Sequence, residues 1–341
     1  MIYLISPDKK QYKANLHSHS TLSDGQKTPQ ELKEMYYSRG YQILSITDHE
    51  HVKNHSAMNE DDFLMLTGYE AHIRTNPVYD RYAQEVHLNL FAKDPENEKH
   101  VLFDRRYGKF YSEEELGKLE KTGPEVERVY SREYVNEFIR LAKEAGYLVT
   151  YNHPYWSMES AETILSYEGI FSLEMCNFGS WVLNHQEYNA QIYDKMLQAG
   201  KRVFCHSTDD NHNKYPTDHP KNDSFGGFTM IQADELTYEA VIGAMERGEM
   251  YASTGPVFQE ISLEGSKLHI ECSPVQSIYV YGGSKVPRYQ IAEPGQTLTC
   301  AELEIDEKAP YIRISVFDKE GKSADTRGFF RDELGLTPLE G

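Results

Sequence analysis

Asn15-Leu16-His17-Ser18-His19-Ser20-Thr21-Leu22-Ser23-Asp24 joins a short extended segment to a polar turn. Residues 12–16 read as a strand, on which alternate side chains share a face, so His17 and His19 project the same way. Two neutral imidazoles at one strand end can chelate a single zinc, manganese or iron ion. The Ser23-Asp24-Gly25 turn can bring a carboxylate back to the same place. By itself a His-x-His pair is also compatible with a plain polar loop. The other strands decide between the two.

The apolar run at 41–46 ends in Thr47-Asp48-His49, and the run starting at Phe63 ends in Gly68-Tyr69-Glu70. His87 lies inside the apolar run 86–91, and residues 147–151 lead into Asn152-His153-Pro154. Residues 201–205 lead into His206-Ser207-Thr208-Asp209-Asp210-Asn211-His212. Almost every strand thus delivers an imidazole or a carboxylate at its C-terminal end, where barrel enzymes build their sites. Singly, His49 or His153 could be a hydrogen-bonded loop residue and His87 a satisfied core histidine. Repetition at one face argues for a site.

Helices separate these strands. Thr28-Pro29-Gln30-Glu31 forms a capping box with proline at the first helical position, and Gly40 stops the helix. Ser131 to Ala145 repeats the plan before Gly146; the stretch marked by Tyr188, Ile192, Met196 and Leu197 closes at Gly200. A fourth helix opens at Thr237 and ends at Gly248. Helix, glycine, strand, repeated with further apolar runs at 63–66, 86–91, 170–175 and 228–231, predicts an α/β fold with a largely parallel sheet, closed as a (β/α)-type barrel over residues 1–256.

After Ser253-Thr254-Gly255-Pro256 the period drops to two, at Leu268/Ile270, Ile278/Val280, Leu303/Ile305 and Ile312/Ile314/Val316, with glycine-containing turns between. That pattern predicts a small antiparallel β domain over residues 257–341. The charged stretch 94–128 carries both signs and reads as an exposed insertion.

Composition narrows the classes. The chain has 341 residues and a net charge of −19, which disfavours nucleic-acid duplex and anionic membrane as partners. Its four cysteines, 176, 205, 272 and 300, form no Cys-x-x-Cys, so neither a disulfide framework nor a zinc-thiolate site is expected. No long apolar run and no secretory signal are visible, so a cytoplasmic protein is expected. Oligomeric state is not legible.

His17-x-His19, Thr47-Asp48-His49, Glu70, Asn152-His153-Pro154 and Asp210-x-His212 resemble, in order and spacing, the motifs of the PHP (polymerase and histidinol phosphatase) family, over roughly residues 12–255. The segment 247–256 is similar to stand-alone members carrying a small C-terminal β domain. The resemblance implies a distorted (β/α)7 TIM-like barrel holding two or three divalent metals (manganese, iron or zinc) and hydrolysing phosphoesters. It implies as ligands His17, His19, Asp24, His49, Glu70, His87, His153, Asp210 and His212, with Glu70 bridging two ions. A donor set of nitrogen and oxygen without thiolate suits those metals. Such a site lowers the pKa of a bound water, whose hydroxide can attack phosphorus in line, so Glu70 and Asp210 are central to catalysis.

Arg74 and Arg81 are candidates for binding the phosphate, and His206 for donating a proton or supporting the site. Residues 211–227, with Lys214 and Lys221, read as a lid or specificity loop; Trp156 and Trp181 could stack on a base or sugar, or simply pack. The expected activity is metal-dependent hydrolysis of a small phosphorylated molecule, monoester before diester. Two alternatives stand beside it. One is an amidohydrolase-like C–N hydrolase, disfavoured because Glu70 fills the place where that family uses a lysine. The other is a non-catalytic, metal-stabilised barrel whose β domain binds a protein or glycan.

Overall fold

Thr28 caps the helix Pro29–Tyr37 through the expected capping box: its side chain accepts from the Glu31 amide while the Glu31 carboxylate accepts from Thr28. Ser131 and Thr237 cap Arg132–Glu144 and Tyr238–Glu246 in the same way, through the amides three residues on. Helix Ala190–Gln198 is the third predicted one. Gly40, Gly146, Gly200 and Gly248 follow the four helices at positive φ, as the stop signals anticipated. The computed structural model from which these elements are read describes residues 1–75, 80–306 and 308–336.

The strands are β1 (Ile2–Ile5), β2 (Lys10–Asn15), β3 (Ile43–Ile46), β4 (Leu64–Arg74), β5 (Glu85–Ala92), β6 (Tyr147–Tyr151), β7 (Ser172–Asn177), β8 (Phe204–Thr208), β9 (Phe228–Ala233) and β10 (Met250–Ser253). They continue as β11 (Phe258–Glu264), β12 (Lys267–Val275), β13 (Ser277–Tyr281), β14 (Arg288–Ile291), β15 (Leu298–Glu304), β16 (Tyr311–Phe317), β17 (Ser323–Thr326) and β18 (Phe329–Phe330).

The α/β expectation holds, but the sheet is mixed. In the order β10-β9-β2-β3-β4-β5-β6-β7-β8, the trios β2-β3-β4 and β6-β7-β8 are parallel, whereas β5 runs antiparallel to both β4 and β6. The connection at 75–84 is too short for the dozen or more residues that a parallel crossover needs, so β4 and β5 pair as neighbours in opposite directions. Nor does the ladder close into the expected barrel. At the gap, β8 meets β9 through a side chain: the Thr229 hydroxyl donates to Ser207 O at 2.8 Å, and Ser207 N lies 3.3 Å from Thr229 Oγ1.

The C-terminal strands are antiparallel, as the period-two pattern implied, and pack around Ile261, Leu268, Ile270, Ile278, Ile312, Ile314 and Val316. They are not separate from the rest. The N-terminal strand β1 pairs with β11, and β17 pairs with β10, so the large sheet runs on into the C-terminal strands. The Arg313 guanidinium, almost wholly buried, grips Asp194 with its Nη2 2.7 Å from Oδ2, and the Tyr188 hydroxyl donates to Asp325 at 2.9 Å.

Residues 94–128 are in part the exposed insertion expected, between β5 and β6 with most of their charged side chains in solvent, but their interior side packs down on the site. Arg128 is buried, with its Nη2 3.0 Å from Glu50 Oε2 and its Nη1 2.7 Å from His72 O. His100, Asp104 and Tyr107 are buried as well. Two charges of the stretch lie indoors: Arg128, neutralised by Glu50 from outside it, and Asp104, which accepts from the Arg128 and Arg106 amides. No helix among the described residues is long and apolar enough to cross a membrane.

Candidate metal centre

All nine side chains nominated as ligands converge at the C-terminal ends of the parallel strands, with Glu70 in the middle. Strand β4 carries Glu70 inward and fully buried. Around its two oxygens lie His17 Nε2 (3.3 Å), His87 Nδ1 (3.2 Å) and His153 Nε2 (3.3 Å) on Oε1, and His49 Nδ1 (2.7 Å) and His19 Nε2 (3.7 Å) on Oε2. Asp210 Oδ1 stands 3.2 Å from His17 Nε2 and 3.0 Å from His19 Nε2. Asp24 Oδ1 stands 3.4 Å from His49 Nε2 and 3.2 Å from His212 Nε2. His153 and Asp210 both adopt positive φ, +29° and +51°, in the loops that aim them.

The donors fit divalent cations. His17 and His19 turn their Nε2 atoms toward each other at 3.2 Å, so with neutral rings two lone pairs or a single proton must share that space. Asp24 Oδ1, His49 Nδ1, Glu70 Oε2 and His87 Nε2 are buried without a well-directed hydrogen bond, although His49 Nδ1 stands 2.7 Å from Glu70 Oε2, Asp24 Oδ1 3.2 Å from His212 Nε2 and His87 Nε2 3.4 Å from Glu85 Oε1. Four overlapping groups of three or four donor atoms can each hold an ion: His19-Asp24-His49-His212, His17-His19-Glu70, His49-Glu70-His72 and Glu70-His87-His153. Imidazole and carboxylate donors gathered this closely in the interior offer lone pairs that a divalent cation can take up.

Buried charge shifts the titration of the cluster. Burial resists ionisation of Glu70, but the facing imidazoles of His87, His17 and His49 outweigh it and hold the carboxyl well below its usual range. For His19, burial and then the neighbouring His49 and His212 push the ring down to about 3, leaving it neutral and free to donate a lone pair.

Residues behind the cluster orient it. Glu174, fully buried on β7, accepts from His17 Nδ1 and the Thr208 hydroxyl on Oε1, each at 2.7 Å, and from the His153 amide (2.7 Å) and Asn177 Nδ2 (2.9 Å) on Oε2. Burial raises its pKa, but the His17 charge and hydrogen bond prevail and take it down to about 2. Asn177 also donates to Asp210 Oδ2 at 3.0 Å, and Asn152 donates to Glu70 Oε1 at 2.8 Å. Asp48 accepts from the Ser20 amide (2.7 Å) and the Ser20 and Ser23 hydroxyls, which holds the loop between His19 and Asp24.

A cavity of about 530 Å3 opens over the cluster. Asp24, His49, Glu70, His87, His153, Asp210 and His212 line it, together with the cations Arg74, Arg106, Lys109, Lys214 and Lys221. Arg74 thus lines this cavity, its Nε 2.8 Å from Glu85 Oε2. Arg81 does not: it lines a neighbouring cavity instead. His206 is not among the residues lining either cavity; its Nδ1 pairs with the Ser172 hydroxyl at 2.8 Å and burial lowers its pKa to about 4. Trp156 lines the cavity and packs on the His87 and His153 rings at 4.9 and 4.8 Å, whereas Trp181 packs on His185. The 211–227 loop does overhang the site, pinned by Asp209, which accepts from the Phe225, Gly226 and Gly227 amides and the Tyr36 hydroxyl.

Sequence reasoning missed His72, Glu174, Arg106 and Lys109. His72 had a signal: Glu70-x-His72 repeats the spacing of His17-x-His19 and puts both side chains on one face of β4. Glu174 was a carboxylate inside the apolar run 170–175. Arg106 and Lys109 had none, because only the folding of 94–128 onto the mouth places them there.

No protein-family model matches the sequence, and no curated protein matches it. Solved structures are similar to it. One is a two-domain protein from Bacteroides vulgatus containing a predicted PHP-like metal-dependent phosphoesterase, at 14% identity over 96% of this chain and 90% of that one, with a TM-score of 0.45. A candidate metal-dependent phosphoesterase from Bifidobacterium adolescentis matches at 17% identity over 60% of this chain and 90% of its own, with a TM-score of 0.38. An amidohydrolase from Chromobacterium violaceum, solved with bound sulfate and no metal, matches at 16% identity over 70% of this chain and 96% of its own, with a TM-score of 0.40. Every TM-score lies below 0.5, too low for the fold or chemistry of those proteins to be read across to this chain.

Proposed function

We propose that this chain is a metal-dependent phosphoesterase of the PHP type, hydrolysing a small phosphorylated molecule, monoester before diester. The observation that carries the reading is the buried cluster around Glu70, in which imidazole and carboxylate donor atoms converge within reach of a common cation and several have no well-directed hydrogen bond. His17, His19, Asp24, His49, Glu70, His87, His153, Asp210 and His212 would hold two or three ions of manganese, iron or zinc, with Glu70 between them. Bound there, divalent ions supply Lewis acidity and an activated water for displacement at phosphorus.

The chain's own residues do the rest. Glu174 keeps the His17 proton on Nδ1, so that Nε2 presents its lone pair to the cluster. Arg74, Arg106, Lys109, Lys214 and Lys221 line the mouth among the carboxylates Asp24, Glu70, Glu85, Asp210 and Asp223, so cations to contact a phosphate are at hand, and bound divalent ions would supply the surplus positive charge that suits a monoester dianion. His206, hydrogen-bonded to Ser172 behind the cluster, supports it rather than delivering a proton.

The strands from β2 to β10 act as a distorted barrel whose gap is closed by side chains, and residues 257–341 act as a brace on it, helped by β1. Free thiols at Cys176, Cys205, Cys272 and Cys300 suit a reducing compartment, the cytoplasm. The test is phosphate release from a panel of sugar phosphates and nucleotides by manganese-loaded protein, with a chelated control and metal content measured on the same sample. Turnover that disappears on chelation is expected. Metal bound at two or more ions per chain with no release from any ester would overturn the reading.

A further inference from the structure

A second cavity, of about 490 Å3, adjoins the metal-ligating one, and Trp156 and Glu85 belong to the walls of both. Its other walls differ in character from the first. Pro154, Tyr155 and Met158 give it apolar wall, and Arg81 and Asp80 line it as well. Tyr155 and Met158, both on this groove's wall, are 53% and 50% exposed and so leave apolar surface open to an occupant.

The loop that presents them is built rather than slack. Met158 is held at φ +57° and His153 at φ +29°. The buried Glu187 carboxylate accepts from the Tyr155 and Trp156 amides, each at 3.0 Å, and Gln84 donates to Met158 O at 3.1 Å. Strained backbone held by buried hydrogen bonds is characteristic of segments that present side chains to a ligand. The same loop carries His153 at one end, so the phosphate position and the apolar wall are fixed to each other through five residues of chain.

We propose that this adjoining groove is the subsite for the organic part of the substrate, and that this part is a flat ring. The proposal deepens the phosphoesterase reading and rests on it for the position of the phosphate. Trp156 packs its ring against His87 and His153 and lines both cavities, so a phosphoester seated at the cluster can extend past that indole to Tyr155 and Met158. Two aromatic faces and a thioether favour a ring over a chain, because stacking and sulfur contacts reward a flat polarisable surface. Arg81, which also lines the groove, meets a polar substituent on that ring, which gives it a role in place of the phosphate contact expected from its position in the sequence.

The test uses the manganese-loaded 341-residue protein and two hydrolysis-resistant probes, benzylphosphonate and methylphosphonate, read by calorimetry and by tryptophan fluorescence in a Trp181→Phe background. The double variant Tyr155→Ser with Met158→Asn changes only half-exposed side chains, and asparagine tolerates the left-handed backbone at position 158. Wild-type protein should bind the benzyl probe at least about tenfold more tightly than the methyl one, and the double variant should lose that preference while keeping its affinity for methylphosphonate. Hydrolysis of phenyl phosphate should fall through KM, with ethyl phosphate unaffected. Equal affinities for the two probes in wild-type protein overturn the subsite. Ring-selective binding without hydrolysis of any ester overturns the phosphoesterase reading and leaves the subsite standing; absence of both phosphonate binding and hydrolysis overturns the two together.

Discussion

His17 Nδ1 lies 2.7 Å from Glu174 Oε1, with both side chains fully buried. A carboxylate at that distance settles where the imidazole proton sits and which way its free nitrogen points. Glu174 accepts four hydrogen bonds in all, from His17, Thr208, His153 and Asn177. An amide in its place must turn one N–H toward another donor. Glu174→Gln is therefore expected to weaken metal binding by about 10–100-fold while leaving the nine donors in place. Calorimetric titration of manganese into metal-free protein checks this, and an unchanged affinity would show that the contact does not orient the cluster.

Glu70 is the group on which five imidazoles converge. Glu70→Gln keeps its volume and removes its charge. Loss of phosphoester hydrolysis on the order of a hundredfold or more is expected, together with a lower metal content per chain. Retention of full hydrolysis by this variant would be incompatible with a multinuclear site centred here.

Arg128 and Glu50 form a buried ion pair that ties residues 94–128 to the edge of the site. Glu50 also accepts from the His72 amide at 2.6 Å. Removing one partner strands the other charge indoors, so Arg128→Met should cost about 3–5 kcal/mol, read as a lower midpoint in urea. Glu50→Gln in the Arg128→Met background should recover part of that loss. If the single and double variants are equally destabilised, the penalty comes from packing and not from an unpaired charge.

Asp209 ties down the far end of the 211–227 loop by accepting from Tyr36 OH and the Phe225 amide at 2.7 Å, and from the Gly226 and Gly227 amides at 2.9 Å. The approach is so close that a methyl group on Gly227 would stand 2.2 Å from Thr208 O. Asp209→Asn should destabilise the protein by about 1–3 kcal/mol and raise amide exchange selectively at 225–227. Gly227→Ala should destabilise it as well, through a steric clash with backbone that cannot retreat. Exchange spread evenly over the chain in Asp209→Asn would remove the anchoring role.

Metal removal should loosen the protein as a whole. Ions that bind only the folded chain stabilise it by mass action, about 4 kcal/mol at a thousand times Kd. Chelation should thus lower Tm by several degrees, restored by manganese and not by magnesium, which prefers oxygen ligands to imidazole. Coincident melting curves with and without chelator would argue that the donors rest unfilled.

The strand ends were legible because a strand places alternate residues on one face and parallel strands share an end. Chain-local patterns therefore located His17, His19, His49, Glu70, His153, Asp210 and His212 on one side of the sheet. Helix boundaries were legible for the same reason, since capping by Thr28, Ser131 and Thr237 is a contact over three residues. The direction of β5 was not, nor the open ladder, because pairing partners far apart in the chain are selected by packing.

Sequence alone thus determined which residue types arrive at the site and on which side of each strand, both consequences of covalent geometry. Tertiary structure decided what stands behind and around them: Glu174 under His17, Arg81 in the neighbouring groove, Arg106 and Lys109 folded in with residues 94–128. Those placements depend on buried charge finding its counter-charge across long stretches of chain, as Arg128 does with Glu50, and no local period records such a meeting.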